Sequence, residues 1–464
     1  MIGYFRINDP YRLVGLFILL LVLYLPFALF GDTVTIPELR NLLLGEKLNE
    51  GFRMYQGVID DTGPLAAWAH EVFDTLFGRS TAARHVLAFI VIFLQCAYVG
   101  LIFISRRVFT ETTYVPSFLC GLLFLTSYDN FVLSNELMGS VFLLLGLHNL
   151  FREIEFRHES DEGILGVGLS ISIASLFAFS FAVYIVAAIV ILVLFTRSDA
   201  RRFVLLIFSF LLPHLLTLSV YFVNGSTAAI WENFYLANLS FARTALMDTR
   251  SLLTLAAVPI FYFVVSMIML NRDARLSKYQ SQILQATMIW LIVSVFFLLS
   301  ARDLRPQSLI VFFPALSFLF THFFLVIRRV RFIRINAWVF FLGIISISYL
   351  ARFGKIHAVN YSTMWIDTSV DEFNGKRLLV LDKSIDAYYR NQLATPFLEW
   401  RLSEPIFRHP EYYENVTLVY EAFTNDPPEV VLDPHNLLAP FLRRMPQIEQ
   451  AYTRRGTRYI RINN

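Results

Sequence analysis

Charged side chains are scarce in this sequence. Lys, Arg, Asp and Glu make up 16% of its 464 residues and 56% are hydrophobic, where a soluble domain carries about 25% charged residues. Mean hydropathy is +0.57, so water is not the main solvent. The cation surplus is only +3, spread along the chain, and so lacks the concentrated basic face that nucleic acid requires. Cysteine is limited to Cys96 and Cys120, both inside apolar runs, where they read as small hydrophobes and report little about redox compartment. There is no CxxC pair and no Cys/His metal spacing, so no metal-ligand set is assigned. Internal repeats are missing and the spans hold few charges, which argues against a transporter built from inverted halves.

Long apolar runs are what the chain has instead. A bilayer core needs roughly 20 apolar residues per helix, and residues 13–30, 85–105, 203–223, 251–270, 283–300, 308–327 and 335–351 each supply such a run. The first follows Arg6 and Arg12 and lacks a small-x-small cleavage site, so it is expected to be an uncleaved span. Residues 114–151 are interrupted by Tyr128-Asp129-Asn130, which a turn must bring to a surface. Residues 164–196 carry no charge, and as one helix they would run about 50 Å, too long for an upright crossing. Splitting them near 178–180 gives eleven spans and puts the arginine clusters at 106–107, 197–202 and 328–334 on one side, as the positive-inside bias requires.

That count predicts a cytoplasmic N-terminus and an extracytoplasmic tail. The expected fold class is an all-α polytopic membrane protein of about eleven transmembrane helices with a small C-terminal extracytoplasmic α/β domain. Residues 1–352 form the membrane domain, including an amphipathic first outer loop at 31–84, and residues 353–464 form the tail domain. Within the tail, Arg377–Asp382, Thr417–Tyr420, Glu429–Asp433 and Tyr459–Ile462 read as strands.

In the first outer loop Pro37 suits the first turn of a helix, with Thr35 or Ile36 before it, and Glu38 meets the positive end of the helix dipole. Leu39, Leu42 and Leu43 form its apolar face. A second helix is expected after Pro64, with Leu65, Trp68, Val72, Phe73 and Leu76 spaced for a membrane surface. Glu136 lies within an apolar span, where an acid is costly and usually faces a cavity or partner.

The order of these features over roughly residues 1–330 resembles the GT-C superfamily of polyprenyl-phosphate-dependent glycosyltransferases. The residues that carry the resemblance are Glu38, Pro64-Leu65, Trp68, Phe77-Gly78-Arg79-Ser80 and Arg84, with Ser300 to Pro306 and Phe313-Pro314 later in the chain. The resemblance implies a membrane glycosyltransferase that takes a polyprenyl-phosphate-linked sugar and serves an extracytoplasmic acceptor from the cell's inner membrane. It implies catalytic carboxylates at Glu38, Asp60, Asp61 and Glu136, and donor-phosphate contacts at Arg243, Arg302 and Arg305. No cofactor is fixed by the residues, and a divalent cation is left open. The chain departs from the family where Pro37 replaces the first acid of a pair and Thr62-Gly63 stands in place of a Lys. These departures keep an alternative in view, a non-catalytic scaffold for an envelope assembly protein.

Overall fold

The computed structural model describes residues 2–30, 34–156, 161–196, 199–240, 244–273, 276–301, 303–327, 329–368, 373–394 and 396–462. The chain divides into two compact units. One comprises Met1–Asp32, Ala82–Leu216 and Phe241–Thr363, and the other Thr33–Thr81, Thr217–Ser240 and Met364–Asn464.

The first unit is helical. Among the described residues of the whole chain, seven helices are long and apolar enough to cross a membrane: Tyr11–Leu29, Thr81–Ser105, Asn135–Glu155, Ala200–Val223, Lys278–Ser300, Pro306–Val326 and Val330–Arg352. Thr249–Leu255 and Ala257–Arg272 add an eighth if counted as one span bent by 62°. Pro259 explains the bend, since it sits in the first turn of the second piece and has no N–H to carry the ladder back across Ala256. Shorter apolar helices occupy Val115–Phe124 and Phe179–Phe195.

Both interruptions expected from the sequence are present. A 3₁₀ turn at Tyr128–Phe131 separates Val115–Phe124 from Asn135–Phe156, and the helix Asp161–Phe177 breaks at Ala178 before Phe179–Val183. Small residues let the helices approach closely. A Cβ on Gly168 would collide with Ser209 Oγ and lie 2.7 Å from the Leu206 carbonyl oxygen. A short ladder pairs β1 (Thr244–Ala245) in parallel with β2 (Asp303–Leu304).

The second unit joins the first outer loop to the tail. Thr35 and Glu38 form a capping box at the start of the helix Ile36–Asn49, whose Leu39, Leu42 and Leu43 are buried. The chain entering that helix bonds to the tail, with Ile36 N donating to the Met364 carbonyl at 2.9 Å and Ile366 N to that of Val34 at 3.1 Å. Five strands follow: β3 (Arg377–Val380), β4 (Gln392–Leu393), β5 (Val430–Leu432), β6 (Tyr452–Arg455) and β7 (Arg458–Arg461), in the order β4-β3-β5-β7-β6. β3 runs parallel to β4 and β5, while β7 is antiparallel to β5 and β6. Gly456 takes the positive φ that the tight β6–β7 turn needs.

Leu379, Val431, Phe397, Phe407 and Phe423 build the core of this sheet, and Ile59 from the first loop packs among them. Thr417–Tyr420 is a correction to the sequence reading, because it lies inside the helix Tyr413–Asn425. Its β-branched residues favoured a strand locally, but Val416, Val419, Ala422 and Phe423 recur at helical spacing and bury one face. A buried ion network ties the loop helix to this sheet. Lys47 Nζ lies 2.6 Å from Asp426 Oδ2 and 2.9 Å from Glu50 Oε2, and Arg377 Nη1 lies 2.6 Å from Asp426 Oδ1.

Candidate functional site

The first unit holds a buried polar cluster built on the turn between Val115–Phe124 and Asn135–Phe156. Ser127 Oγ accepts from Asp129 N at 3.3 Å, and Asn130 Nδ2 donates to the Phe124 carbonyl at 2.9 Å. The chain then enters a helix whose first turn carries Glu136, where an anion meets the helix dipole favourably. Facing it is the segment before Pro306. Arg305 Nη2 lies 2.8 Å from Glu136 Oε2, and Nη1 lies 3.7 Å from Asp129 Oδ1. Gln307 N donates to Asp129 Oδ2 at 3.0 Å, and Gln307 Nε2 to the Val132 carbonyl at 2.7 Å.

Arg305 is only 2% exposed. Its Nε and Nη1 have no hydrogen-bond partner among the described residues, and neither do Gln307 Oε1 and Asn130 Oδ1. A guanidinium held by two carboxylates yet retaining donors suits an oxyanion. In the same unit lies an apolar cavity of about 390 Å³. Its walls come from the bent pair (Leu252, Pro259, Phe263), the helix Lys278–Ser300 (Met288, Val295) and the segment after Arg305 (Leu309, Phe312, Leu316). Leu304, the residue before Arg305, also lines it.

The second unit gathers a different set of charges. Ile59 N donates to the Pro396 carbonyl at 2.7 Å and Glu399 N to the Ile59 carbonyl at 3.1 Å, which brings Glu399 beside Asp60 and Asp61. Arg40, from the helix Ile36–Asn49, reaches all three: Nε to Asp60 Oδ2 at 3.0 Å, Nη2 to Asp61 Oδ1 at 3.2 Å and Nη1 to Glu399 Oε2 at 3.0 Å. Arg401 Nη2 adds a contact to Asp61 Oδ2 at 2.6 Å. The loop is fixed from behind, with Tyr55 Oη donating to the Thr62 carbonyl at 2.6 Å and Asn238 Nδ2 to that of Asp61 at 2.9 Å.

Three carboxylates thus face two guanidiniums. One oxygen from each of Asp60, Asp61 and Glu399 falls within 4.8 Å of the others, a spacing that could hold a metal ion, and those carboxylates are already bound by Arg40 and Arg401. Burial raises the Asp60 carboxyl above its ordinary value of 3.8, Arg40 opposes the rise, and Glu399 adds to it. The folded state therefore holds the Asp60 proton more tightly than the unfolded chain does. This contribution to stability is full below 3.8 and is lost as pH climbs through the raised folded value. Thermal melts should show wild type losing stability relative to Asp60→Asn as pH rises above 3.8; identical slopes would contradict the assignment.

The structure joins Glu136 to Arg305 in one unit and Asp60 to Asp61 in the other. Glu38 is buried at its helix start, its Oε2 accepting from Thr35 N at 3.4 Å. Arg243 and Arg302 lie outside the described residues. Arg40, Glu399 and Arg401 were not singled out by sequence, and neither was Gln307. Asp129 had given a signal, as the polar break in an apolar run.

Comparison with solved structures shows a likeness of fold. ArnT from Cupriavidus metallidurans, solved bound to undecaprenyl phosphate, superposes with a TM-score of 0.53 at 12% identity, over 94% of this chain and 89% of that one. The archaeal oligosaccharyltransferase AglB from Archaeoglobus fulgidus, solved with an inhibitory peptide and a dolichol-phosphate, gives a TM-score of 0.48 at 10% identity, over 98% and 74%. No protein-family model and no curated protein matches the sequence.

Proposed function

We propose that this chain is a glycosyltransferase of the inner membrane that takes a sugar from a polyprenyl-phosphate donor and passes it to an extracytoplasmic acceptor. The N-terminus is then cytoplasmic and the tail extracytoplasmic. The observation that carries the reading is the apolar cavity whose lining residues Leu304 and Leu309 flank Arg305 in sequence. An isoprenoid chain needs a wall without polar groups, and its phosphate needs a cation that water does not screen.

In the transfer step the acceptor oxygen bonds to the sugar's anomeric carbon while the bond from that carbon to the phosphate oxygen breaks. The electron pair leaves on the polyprenyl phosphate, where Arg305 balances the charge, assisted by Arg243 and Arg302. The acceptor's proton passes to a carboxylate, and Glu136 positions Arg305.

Lipid extracted from the purified full-length chain and weighed by mass spectrometry is expected to include a polyprenyl phosphate or its sugar ester. Transfer from a labelled lipid-linked sugar should then fall in Glu38→Gln, Asp60→Asn, Asp61→Asn or Glu136→Gln. Undiminished transfer in all four would remove the mechanism. A scaffold for an envelope assembly is favoured by one observation, the engagement of both Asp60 and Asp61 by arginines. It predicts no transfer by the wild type and loss of co-purifying proteins when residues 353–464 are deleted.

A further inference from the structure

The tail sheet ends in a hairpin whose outer strand is open. In the order β4-β3-β5-β7-β6 the two edges are β4 and β6. The β4 edge is covered: Leu393 is buried, and Arg79 Nη2 donates to the Asn391 carbonyl beside it at 2.7 Å. On β6, by contrast, Thr453, Arg454 and Arg455 are exposed. Residues 450–462 carry four arginines and no acid, a local concentration inside a chain whose overall surplus is +3.

The register fixes what that edge presents. Arg461 N donates to the Glu429 carbonyl and Ile462 N to that of Ala451, so successive amides of β7 turn to β5 and to β6. Hydrogen-bonded pairs alternate along an antiparallel ladder. Beyond Ala451 and Ile462 the next such pairs are Thr453 with Ile460 and Arg455 with Arg458. That leaves the N–H and C=O of Tyr452 and Arg454 pointing away from the sheet. Side chains alternate as well. Arg454 lies opposite Tyr459 and Arg461 opposite Tyr452, on the face of the core tyrosines, while Arg455 lies opposite Arg458 on the other face. Neighbouring guanidiniums therefore straddle one unpaired edge.

Arg454 is held in place, its Nε donating to the Gly456 carbonyl at 3.1 Å and its guanidinium carbon 5.6 Å from the centre of the Tyr459 ring. Arg455 faces a like charge, an arrangement that destabilises a ladder unless an anion balances it. Among the described residues no carboxylate pairs with Arg454, Arg455 or Arg461. A second copy of this chain on the same edge would set arginine against arginine, so the charge opposes self-pairing and favours an acidic partner. Backbone groups offered at strand spacing favour a peptide over a phosphate-rich polyanion, which would use the guanidiniums alone.

We infer that β6 is a docking edge for an extended acidic segment of a partner protein, which adds to the sheet as a further strand. Its backbone bonds to Tyr452 and Arg454, and two consecutive acids, pointing to opposite faces, meet Arg454 and Arg455. The inference concerns the tail sheet alone and holds whether or not the chain transfers sugar.

The test titrates the full-length chain in detergent with a capped peptide, Thr-Val-Thr-Glu-Glu-Val-Thr, followed by calorimetry. Saturable binding is expected, and a version with Lys-Lys in place of Glu-Glu should not bind. Arg454→Gln and Arg455→Gln should each weaken binding about tenfold. Arg454→Glu combined with Arg455→Glu should transfer the preference to the Lys-Lys version. Strand addition is read separately, from two acidic peptides N-methylated at alternate amides. The set facing β6 should abolish binding, and the other set should leave it intact. No binding of the acidic peptide overturns the inference and leaves the arginines as guards against self-pairing. Equal affinity of the two methylated peptides overturns it as well, and marks a site for polyanions such as inorganic polyphosphate rather than for a strand.

Discussion

Arg305→Met is expected to lower the stability of the protein and, under the proposed function, its hold on a lipid phosphate. Asp129 is fully buried, and Glu136 Oε2 lies 2.8 Å from the guanidinium that would be lost. Stripping the cation from a buried pair leaves charge uncompensated, at a cost of about 3–5 kcal/mol. Thermal unfolding in detergent would register this as a lowered Tm. Affinity for polyprenyl phosphate should fall roughly 10- to 100-fold, the worth of one charged hydrogen-bonding group. The two effects can be separated. Combining Arg305→Met with Asp129→Asn and Glu136→Gln removes the stranded charges, so stability should return while phosphate binding stays lost. Recovery of both would show that Arg305 serves only the fold. Arg305→Lys keeps the charge but not the planar donor set, and should recover less binding than stability.

Asp426→Ala should have a comparable effect on stability and none on lipid binding. Asp426 is 1% exposed and is the common partner of Lys47 and Arg377. Without it, Lys47, itself 1% exposed, keeps Glu50 at 2.9 Å, while a buried cation loses its closest anion. A loss of about 3 kcal/mol or more follows for a broken buried pair. Hydrogen exchange should report it at β3 and in the helix Ile36–Asn49, the two elements that the network ties to Asp426. The paired replacement Lys47→Met with Asp426→Leu should restore most of the loss, since an apolar pair of similar volume avoids the desolvation cost. Unchanged exchange in Asp426→Ala would show that the network adds nothing to this unit.

The features legible in the sequence were those written in local periods. Thr35, Pro37 and Glu38 announced a helix start, and the capping box is there. The uncharged run 164–196 was too long for one upright helix, and it breaks at Ala178. Arg377, Glu429 and Tyr459 marked strands because short apolar runs in a polar tail have few other uses, and β3, β5 and β7 lie on them. Thr417–Tyr420 misled because four residues cannot distinguish a strand from one turn of a helix; the decisive spacing runs from Val416 to Phe423. The charge cluster at Asp61 was out of reach for a different reason. Arg401 stands 340 positions away, and an ion pair formed through tertiary folding leaves no periodic trace between its partners. Glu136 and Arg305, 169 positions apart, were found separately because each is expensive beside an apolar span, although their pairing was not.

The second unit is assembled from three stretches, and the interval from Thr81 to Met364 is threaded through most of the bundle before the last of them is made. Its first stretch therefore emerges as an unfinished piece. Ile59 has no sheet to pack on, Lys47 has no Asp426, and Asp60 and Asp61 have Arg40 but neither Glu399 nor Arg401. At about 5–20 residues per second, the roughly 280 intervening residues take on the order of 15–60 s to synthesise. For that time an acidic, half-apolar loop must wait beside the translocation machinery. A nascent chain truncated before residue 364 should expose it to protease or to a chaperone, and the completed chain should withdraw it.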